Sequence, residues 1–223
     1  YIHTVIVLFW LKVKTLKPGT SILIHSATGG IGLAALNICV YHQCDIYVTV
    51  GTEEKRHYLN KHYPQIPNNH IGNSRDTSFE EMIKRETEGR GVDIVLNSLT
   101  DDKLKASIRC LARGGRFMDI GKFDLANDTS LNLLFMEREA SYRGVMLDRT
   151  FKDSKELRLD IYKSIKDGLK AGYVKPLPRV VFNTDEIEAA YRYMMSGKHI
   201  GKVLIKIRNE TEDMDRKFPA YPK

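Results

Sequence analysis

The sequence contains few cysteines, and their spacing matches neither a zinc site nor a disulfide framework. Cys39, Cys44 and Cys110 are the three cysteines among 223 residues, an odd number without a C-x-x-C pair. We therefore expect no metal site and a reducing compartment, the cytoplasm. The three thiols are interpreted as small apolar side chains of a core.

Long apolar runs and clustered basic residues are also missing. No apolar stretch approaches the roughly 20 residues that a membrane-spanning helix needs, so we expect no membrane partner. The formal net charge is +7, but 35 Lys and Arg residues are spread along the chain beside 28 Asp and Glu residues. Because a nucleic-acid-binding face gathers its basic residues and intersperses aromatic ones, we expect no nucleic-acid partner, and only a local phosphate site stays open.

Short β-branched runs alternate with helical stretches from Ser21 onward, which predicts a parallel sheet covered by helices. The predicted strands are 21–25, 46–50, 70–72, 92–96, 115–120 and 144–147. The predicted helices between them are 32–41, 53–62, 77–88 and 101–111. Thr52 is expected to cap the second helix, and Thr77 with Glu80 to form a capping box on the third. This order predicts an α/β fold, a Rossmann-type doubly wound parallel sheet.

The pattern changes after Asp148. A helix is predicted over 154–171, an extended segment with two prolines over 175–182, a helix over 184–196 and a strand over 202–207. This pattern predicts that the C-terminal part of the chain returns into a second, partial lobe. Beyond Arg208 the sequence is polar with few apolar anchors, which is typical of a linker.

A glycine-rich segment joins the first predicted strand to the first helix. It reads Ser26-Ala27-Thr28-Gly29-Gly30-Ile31-Gly32 and matches A-x-G-x-x-G, with Ala27 in place of the first glycine of the dinucleotide fingerprint. Gly29 would let the backbone approach a pyrophosphate, and Gly32 would let helix and strand pack closely. The helix N-terminus would offer N–H groups to the anion. A bare turn also selects glycine, but the strand before and the helix after favour a cofactor site.

The end of the second predicted strand lacks the acid that would hydrogen-bond the ribose of NAD. Gly51 stands there instead, and Lys55 follows. A 2′-phosphate needs room and positive charge, so these residues favour NADPH over NADH. The alternative is that 53–56 is a solvated first helical turn, whose two acids suit the helix dipole and repel a phosphate.

Several ordered segments resemble the enoyl reductase domains of animal fatty acid synthases and reducing polyketide synthases, within the medium-chain dehydrogenase/reductase superfamily. The similarity extends from about Lys17 to Ile207. It is carried by the segments Ile24–Gly32, Thr49–Arg56, Asn73–Phe79, Gly91–Leu99, Gly115–Lys122 and Gly197–Val203. Lys122-Phe123-Asp124 and the spacing to Asp148 favour the animal fatty acid synthase branch.

The resemblance implies NADPH-dependent reduction of trans-2-enoyl thioesters on acyl carrier protein, beside neighbouring synthase domains and in a homodimer paired along the sixth strand. Lys122 and Asp148 would flank the nicotinamide as candidate catalytic residues, and a solvent-exposed loop charge is the alternative for each. The expected cofactor contacts beyond the glycine-rich segment are Gly51, Lys55, Arg75, Asn97, Ser98 and Gly121. For Arg75 an exposed loop position is the alternative, and for Asn97 and Ser98 a helix N-cap. His25 is interpreted as a hydrogen-bonded core histidine.

The resemblance also suggests four segments. Residues 1–15 would be the remnant of a helix from the catalytic lobe, 16–150 the NADPH-binding domain, 151–208 the return into that lobe, and 209–223 a linker toward a ketoreductase domain. Tyr1 is not an initiator Met, so we expect a fragment of a larger enzyme. The alternatives are a stand-alone quinone or alkenal reductase of the same superfamily, and a catalytically silent structural or dimerisation module.

Overall fold

The computed structural model of the chain describes residues 16–121, 131, 137–145 and 155–207. The chain divides into two compact units, Tyr1–Leu177 and Pro178–Lys223. The predicted catalytic residues, Lys122 and Asp148, lie outside the described residues, as do 1–15 and 209–223. The predicted segment boundaries after residues 15, 150 and 208 therefore stay predictions.

A six-stranded sheet forms the centre of the first unit. Its strands are β1 Ser21–Ile24, β2 Asp45–Val50, β3 Ile71–Asn73, β4 Val92–Asn97, β5 Leu111–Asp119 and β6 Ser141–Gly144. They pair in parallel in the order β3-β2-β1-β4-β5-β6. The predicted Rossmann-type α/β fold is confirmed. The strand order reverses between β1 and β4, the place where doubly wound sheets bind ligands.

Helices follow the strands of this sheet along the chain. They are α1 Gly30–Tyr41, α2 Glu53–His62, α3 Phe79–Glu86, α4 Asp101–Arg109 and α5 Lys155–Ala171. Helix α1 is buried from Gly32 to Cys39 because its sequence is apolar on every side, as in a helix enclosed by its protein. Among the described helices, none is both long and apolar enough to cross a membrane.

Two strand predictions were displaced. Strand β5 begins at Leu111 instead of residue 115, because the chain passes through a register shift between β4 and β5 and Gly114, at φ +71°, does not end the strand. Strand β6 covers Ser141–Gly144 instead of 144–147. It is an end strand of the sheet with polar residues. The more apolar residues that follow it in the sequence therefore resembled a strand more closely.

The predicted capping box of α3 is wrong, whereas the predicted N-cap of α2 is confirmed. Helix α3 begins at Phe79, and no side-chain hydrogen bond caps it. The carboxylate of Glu80 is buried and accepts from the Arg109 guanidinium at 2.9 and 2.6 Å, because a buried carboxylate is stabilised by a cation. In α2, the hydroxyl oxygen of Thr52 accepts from the backbone N–H of Lys55 at 3.3 Å.

The second unit contains a parallel strand pair connected by a helix. Strands β7 Arg179–Asn183 and β8 Lys202–Lys206 pair in parallel, and helix α6 Ile187–Met195 lies between them in sequence. The helix predicted over 184–196 starts with a 3₁₀ turn, Thr184–Glu186, closed by a capping box between Asn183 and Glu186. The extended segment predicted over 175–182 ends as strand β7.

Candidate nucleotide site

The glycine-rich loop lies at the carboxyl edge of the sheet, where the strand order reverses. The backbone N–H of His25 donates to the Leu96 carbonyl at 3.1 Å, and that of Ala27 donates to the Thr49 carbonyl at 3.1 Å. The Ser98 hydroxyl donates to the Ser26 hydroxyl oxygen at 3.0 Å. The loop is thus joined to the strands on both sides of β1, and two predicted contacts, Ser26 and Ser98, lie side by side.

Backbone packing explains the glycines of this loop. A Cβ on Gly32 would lie 2.5 Å from the Ala27 carbonyl oxygen and 2.6 Å from its carbonyl carbon, so any side chain would push α1 away from the loop. Gly29 is the N-cap residue of α1, and its N–H donates to the Ser26 carbonyl at 2.9 Å. The remaining predicted loop residues share this turn: Thr28 is buried, and Gly30 and Ile31 are half-buried. The first N–H groups of α1 point toward the loop, as at any helix N-terminus.

Three further predicted contacts come together at the ends of β2 and β3. A Cβ on Gly51 would lie 2.8 Å from Nε of Arg75, so the Arg75 side chain crosses directly over Gly51. Burial, and next the Arg75 charge, lower the pKa of Lys55. A mutual electrostatic effect requires the two cations to be close neighbours. The Arg75 guanidinium therefore lies over Gly51, with the Lys55 charge near enough to interact with it.

Arg56, next to Lys55 in sequence, faces a different part of the protein. Its guanidinium donates to the Ile71 carbonyl at 2.6 Å and to the Asn68 side-chain oxygen at 3.2 Å. Glu53 lies 3.7 Å from it, with 91 % of its side chain exposed. The alternative of a solvated first helical turn therefore applies to the exposed Glu53. It does not apply to Lys55, whose side chain is half-buried.

A buried hydrogen-bond network at the ends of β4, β5 and β6 centres on Asp119. Its carboxylate accepts from Nδ2 of Asn97 at 3.2 Å, from the Gly121 N–H at 2.9 Å and from the Tyr142 hydroxyl at 2.5 Å. The Asn97 amide is also engaged with the Leu99 backbone, donating at 2.8 Å and accepting at 3.1 Å. Asn97 and Gly121, both predicted as cofactor contacts, thus have structural partners inside the protein.

Sequence reasoning missed Asp119, and it assigned Asn97 an N-cap alternative that is wrong, since Thr100 occupies the N-cap position of α4. The sequence signal was an acid within a short apolar segment, Phe117-Met118-Asp119-Ile120. A buried carboxylate needs donors around it. Here they come from the end of β4, from the residues after β5 and from Tyr142 within β6. The network fixes the backbone through Gly121, the last described residue before Lys122.

His25 is a core residue, as predicted. It is buried, its Nδ1 lies 2.9 Å from the Thr49 hydroxyl, and its Nε2 lies 2.8 Å from the Ser107 hydroxyl. Burial lowers the pKa of His25 to about 3. Because the Ser107 proton is directed at the Lys103 carbonyl, 2.6 Å away, the ring proton is on Nε2 and Nδ1 accepts from Thr49. Across the described ranges, no group of three or more His, Cys, Asp or Glu residues could hold a metal ion.

Comparison with known proteins gives a family match over much of the chain. A family described as zinc-binding dehydrogenase matches residues 68–205. The highly reducing polyketide synthase gloL of Glarea lozoyensis is 43% identical over 206 residues, which are 92% of this chain and 8% of the synthase. The chain therefore spans less than a tenth of that relative. The predicted animal fatty acid synthase branch receives no support from this match.

Two solved structures are similar in both sequence and fold. The crystal structure of CurK enoyl reductase is 31% identical, with a TM-score of 0.80 over 93% of this chain and 60% of that one. The nucleotide-binding subdomain of the enoylreductase domain of PpsC from Mycobacterium tuberculosis is 34% identical, with a TM-score of 0.69 over 78% of this chain and 97% of that one. The second match covers nearly the whole of the solved subdomain.

Proposed function

The chain belongs to the enoyl reductase domains of the medium-chain dehydrogenase/reductase superfamily, and we propose that it binds NADPH and reduces trans-2-enoyl thioesters carried on acyl carrier protein. The observation that carries the cofactor part is the meeting of Lys55 and Arg75 beside Gly51. Two neighbouring cations match a phosphate group, whereas a ribose hydroxyl would need an acceptor.

The residues present fit the phosphate groups of a dinucleotide. The loop 26–32 and the N-terminus of α1 would hold the pyrophosphate, with Ser98 beside the loop. Gly51, Lys55 and Arg75 would hold the 2′-phosphate. The nearby acids oppose this only weakly, because Glu53 faces solvent beside Arg56 and the Glu54 charge is the smallest of the effects on the pKa of Lys55.

Bound NADPH would supply the hydride that reduces the β-carbon of the thioester. The chain's own task is then to stabilise negative charge on the thioester oxygen and to deliver a proton to the α-carbon. Lys122 and Asp148 are proposed for these tasks. Asp119 would act as a positioning residue, since its carboxylate holds the Gly121 N–H immediately before Lys122.

The proposed setting is a large multidomain synthase in the cytoplasm. The polyketide synthase relative favours a highly reducing polyketide-type parent, and an animal-type fatty acid synthase is the alternative suggested by Lys122-Phe123-Asp124. Partners would be the acyl carrier protein, the neighbouring synthase domains and a second copy. The position of β6 at one end of the sheet is compatible with pairing to a second copy along that strand.

Calorimetric titration of the 223-residue chain with NADPH and with NADH tests the cofactor proposal. Lys55→Ala and Arg75→Ala should each weaken NADPH binding by about 10- to 100-fold, the loss of one charge-assisted contact, and leave NADH binding unchanged. Lys61→Ala is the matched control, because it removes an exposed positive charge from the same helix.

Two results would count against the proposal. Equal weakening of NADPH and NADH by Lys55→Ala would show a general structural effect and not a 2′-phosphate contact. Failure of a demonstrably folded chain to bind either nucleotide would favour the structural-module alternative.

A further inference from the structure

Two of the three cysteines meet where α1 turns into β2. Cys39 lies in the last part of α1 and is fully buried, whereas Cys44 lies in the connection and is half-buried. The Cys44 backbone N–H donates to the Cys39 carbonyl at 2.9 Å. Each thiol shifts the pKa of the other, as expected for side chains that this backbone bond brings close together.

The connection between them is held in place by its own backbone bonds. Gln43 has a positive φ of 55°, which folds the chain back, and its N–H donates to the Val40 carbonyl at 3.1 Å. The Gln43 carbonyl accepts from Gly19 at 2.9 Å, and the Asp45 N–H donates to Thr20 at 3.0 Å. These bonds keep Cys44 against the end of α1.

The two thiols are chemically unequal. The hydrogen bond from Cys39 lowers the pKa of Cys44, against the opposing effects of burial and the Asp45 charge. The pKa of Cys39 is raised well above its usual value by the Cys44 hydrogen bond and by burial. Since the thiolate is the reactive form, the half-exposed Cys44 is the thiol that solvent oxidants reach first.

We propose that Cys39 and Cys44 form a reversible disulfide when hydrogen peroxide oxidises the protein. The Cys44 thiolate attacks the peroxide, so that an S–O bond forms, the O–O bond breaks and the leaving oxygen takes a proton to become water. Cys39 then loses its proton and attacks the Cys44 sulfur, so that the S–S bond forms and a second water leaves. Two thiols lose two electrons, and the peroxide gains them.

The geometry favours an internal disulfide over other oxidation products. A disulfide requires sulfur atoms about 2.05 Å apart. The backbone bond from the Cys44 N–H to the Cys39 carbonyl, at 2.9 Å, holds the two residues close enough for side-chain rotation to bring the sulfurs together. Cys110 provides an internal reference, because it is buried and burial raises its pKa to about 12. The pair lies at the opposite end of α1 from the phosphate loop, so it forms a site separate from the proposed nucleotide contacts.

The test is peptide mapping of the folded 223-residue chain after treatment with hydrogen peroxide. Chymotrypsin cuts after Tyr41, between the two cysteines, so the disulfide should hold the two fragments together at a mass about 2 Da below their sum. Dithiothreitol should separate them, and the Cys110 thiol should stay reduced. Sulfinic acid on Cys44 with a free Cys39 thiol would overturn the proposal, as would a disulfide between two chains.

Single variants identify the role of each thiol. Cys39→Ala should leave Cys44 as a sulfenic acid that dimedone traps, because the second thiol is missing. Cys44→Ser should abolish the reaction, and Cys110→Ala is the matched control that should form the linked fragments normally. A Cys39 thiol that still reacts in Cys44→Ser would overturn the assigned order of attack. If Cys39→Ala fails to fold, the linked fragments of the unaltered chain still decide the proposal.

Discussion

The buried His25 predicts how the stability of the first unit depends on pH. Burial lowers the pKa of His25 from 6.5 to about 3, and both ring nitrogens are engaged by Thr49 and Ser107. Protonation would require Nδ1 to lose its acceptor role toward the Thr49 hydroxyl inside an apolar core. Between pH 6.5 and about pH 3, His25 is therefore neutral in the folded chain and protonated in the unfolded chain.

The direction and size of the effect follow from proton linkage. A histidine whose pKa is lowered in the folded state contributes its full stability above pH 6.5, and this contribution is lost as the pH falls toward 3. In that window, one group changes the free energy of unfolding by about 1.4 kcal/mol per pH unit. Between about pH 7.5 and about pH 4.5 the chain should lose about 3 kcal/mol through His25 alone.

Urea unfolding at about pH 7.5 and about pH 4.5 measures this loss. The variant His25→Gln can hydrogen-bond to Thr49 and Ser107 but cannot take up a proton. Its free energy of unfolding should be lower than that of the unaltered chain at the higher pH. On acidification, this free energy should fall by about 3 kcal/mol less than in the unaltered chain. His57→Gln, which removes an exposed histidine of α2, is the control and should follow the unaltered chain. Equal losses in the unaltered chain and in His25→Gln would refute the reasoning.

Three further substitutions test the site. Gly32→Ala places a Cβ 2.5 Å from backbone atoms of Ala27, so thermal unfolding should show a destabilisation of about 1 to 3 kcal/mol, and calorimetry should show weaker binding of both nucleotides. Asp119→Asn replaces one acceptor oxygen by a donor facing Asn97 or Tyr142, which should lower the free energy of unfolding in urea by about 1 to 3 kcal/mol. An unchanged free energy of unfolding would show that the Asp119 network does not stabilise the fold. Lys122→Ala in the intact parent enzyme should lower enoyl reduction by about 10² to 10⁴-fold while NADPH binding persists, and unchanged turnover would exclude Lys122.

Much of the sheet was predictable because three of its inner strands each carry their own signal. Strands β1, β2 and β4 are β-branched and almost wholly buried, so they appear in the sequence as apolar runs bounded by turns. Strand β6 carries no such signal, because its exposure alternates along Ser141–Gly144. What defines β6 is its pairing with β5, a contact that its own residues do not indicate.

The part of the candidate site that lies directly after the strands was predictable from the sequence. The carboxyl ends of parallel strands share one edge, so Gly51 after β2 and Arg75 after β3 were both expected there, and they meet. Asp119 could not be predicted in the same way, since one of its donors, Tyr142, comes from the misplaced strand β6. Glu80 shows the same limit: a local capping rule selected Thr77 as its partner, whereas tertiary packing selected Arg109.

Two glycines of the site differ in what surrounds them, and this separates nucleotide binding from nucleotide choice. A side chain at Gly32 would meet backbone atoms of Ala27, which can move only if α1 moves. A side chain at Gly51 would meet the far end of Arg75, which can turn aside through its own rotamers. The glycine-rich loop is therefore part of the fold, while the Arg75 side chain over Gly51 can change without it. On the proposed function, NADPH preference can be altered at Lys55 and Arg75 in a chain that keeps its sheet and its loop.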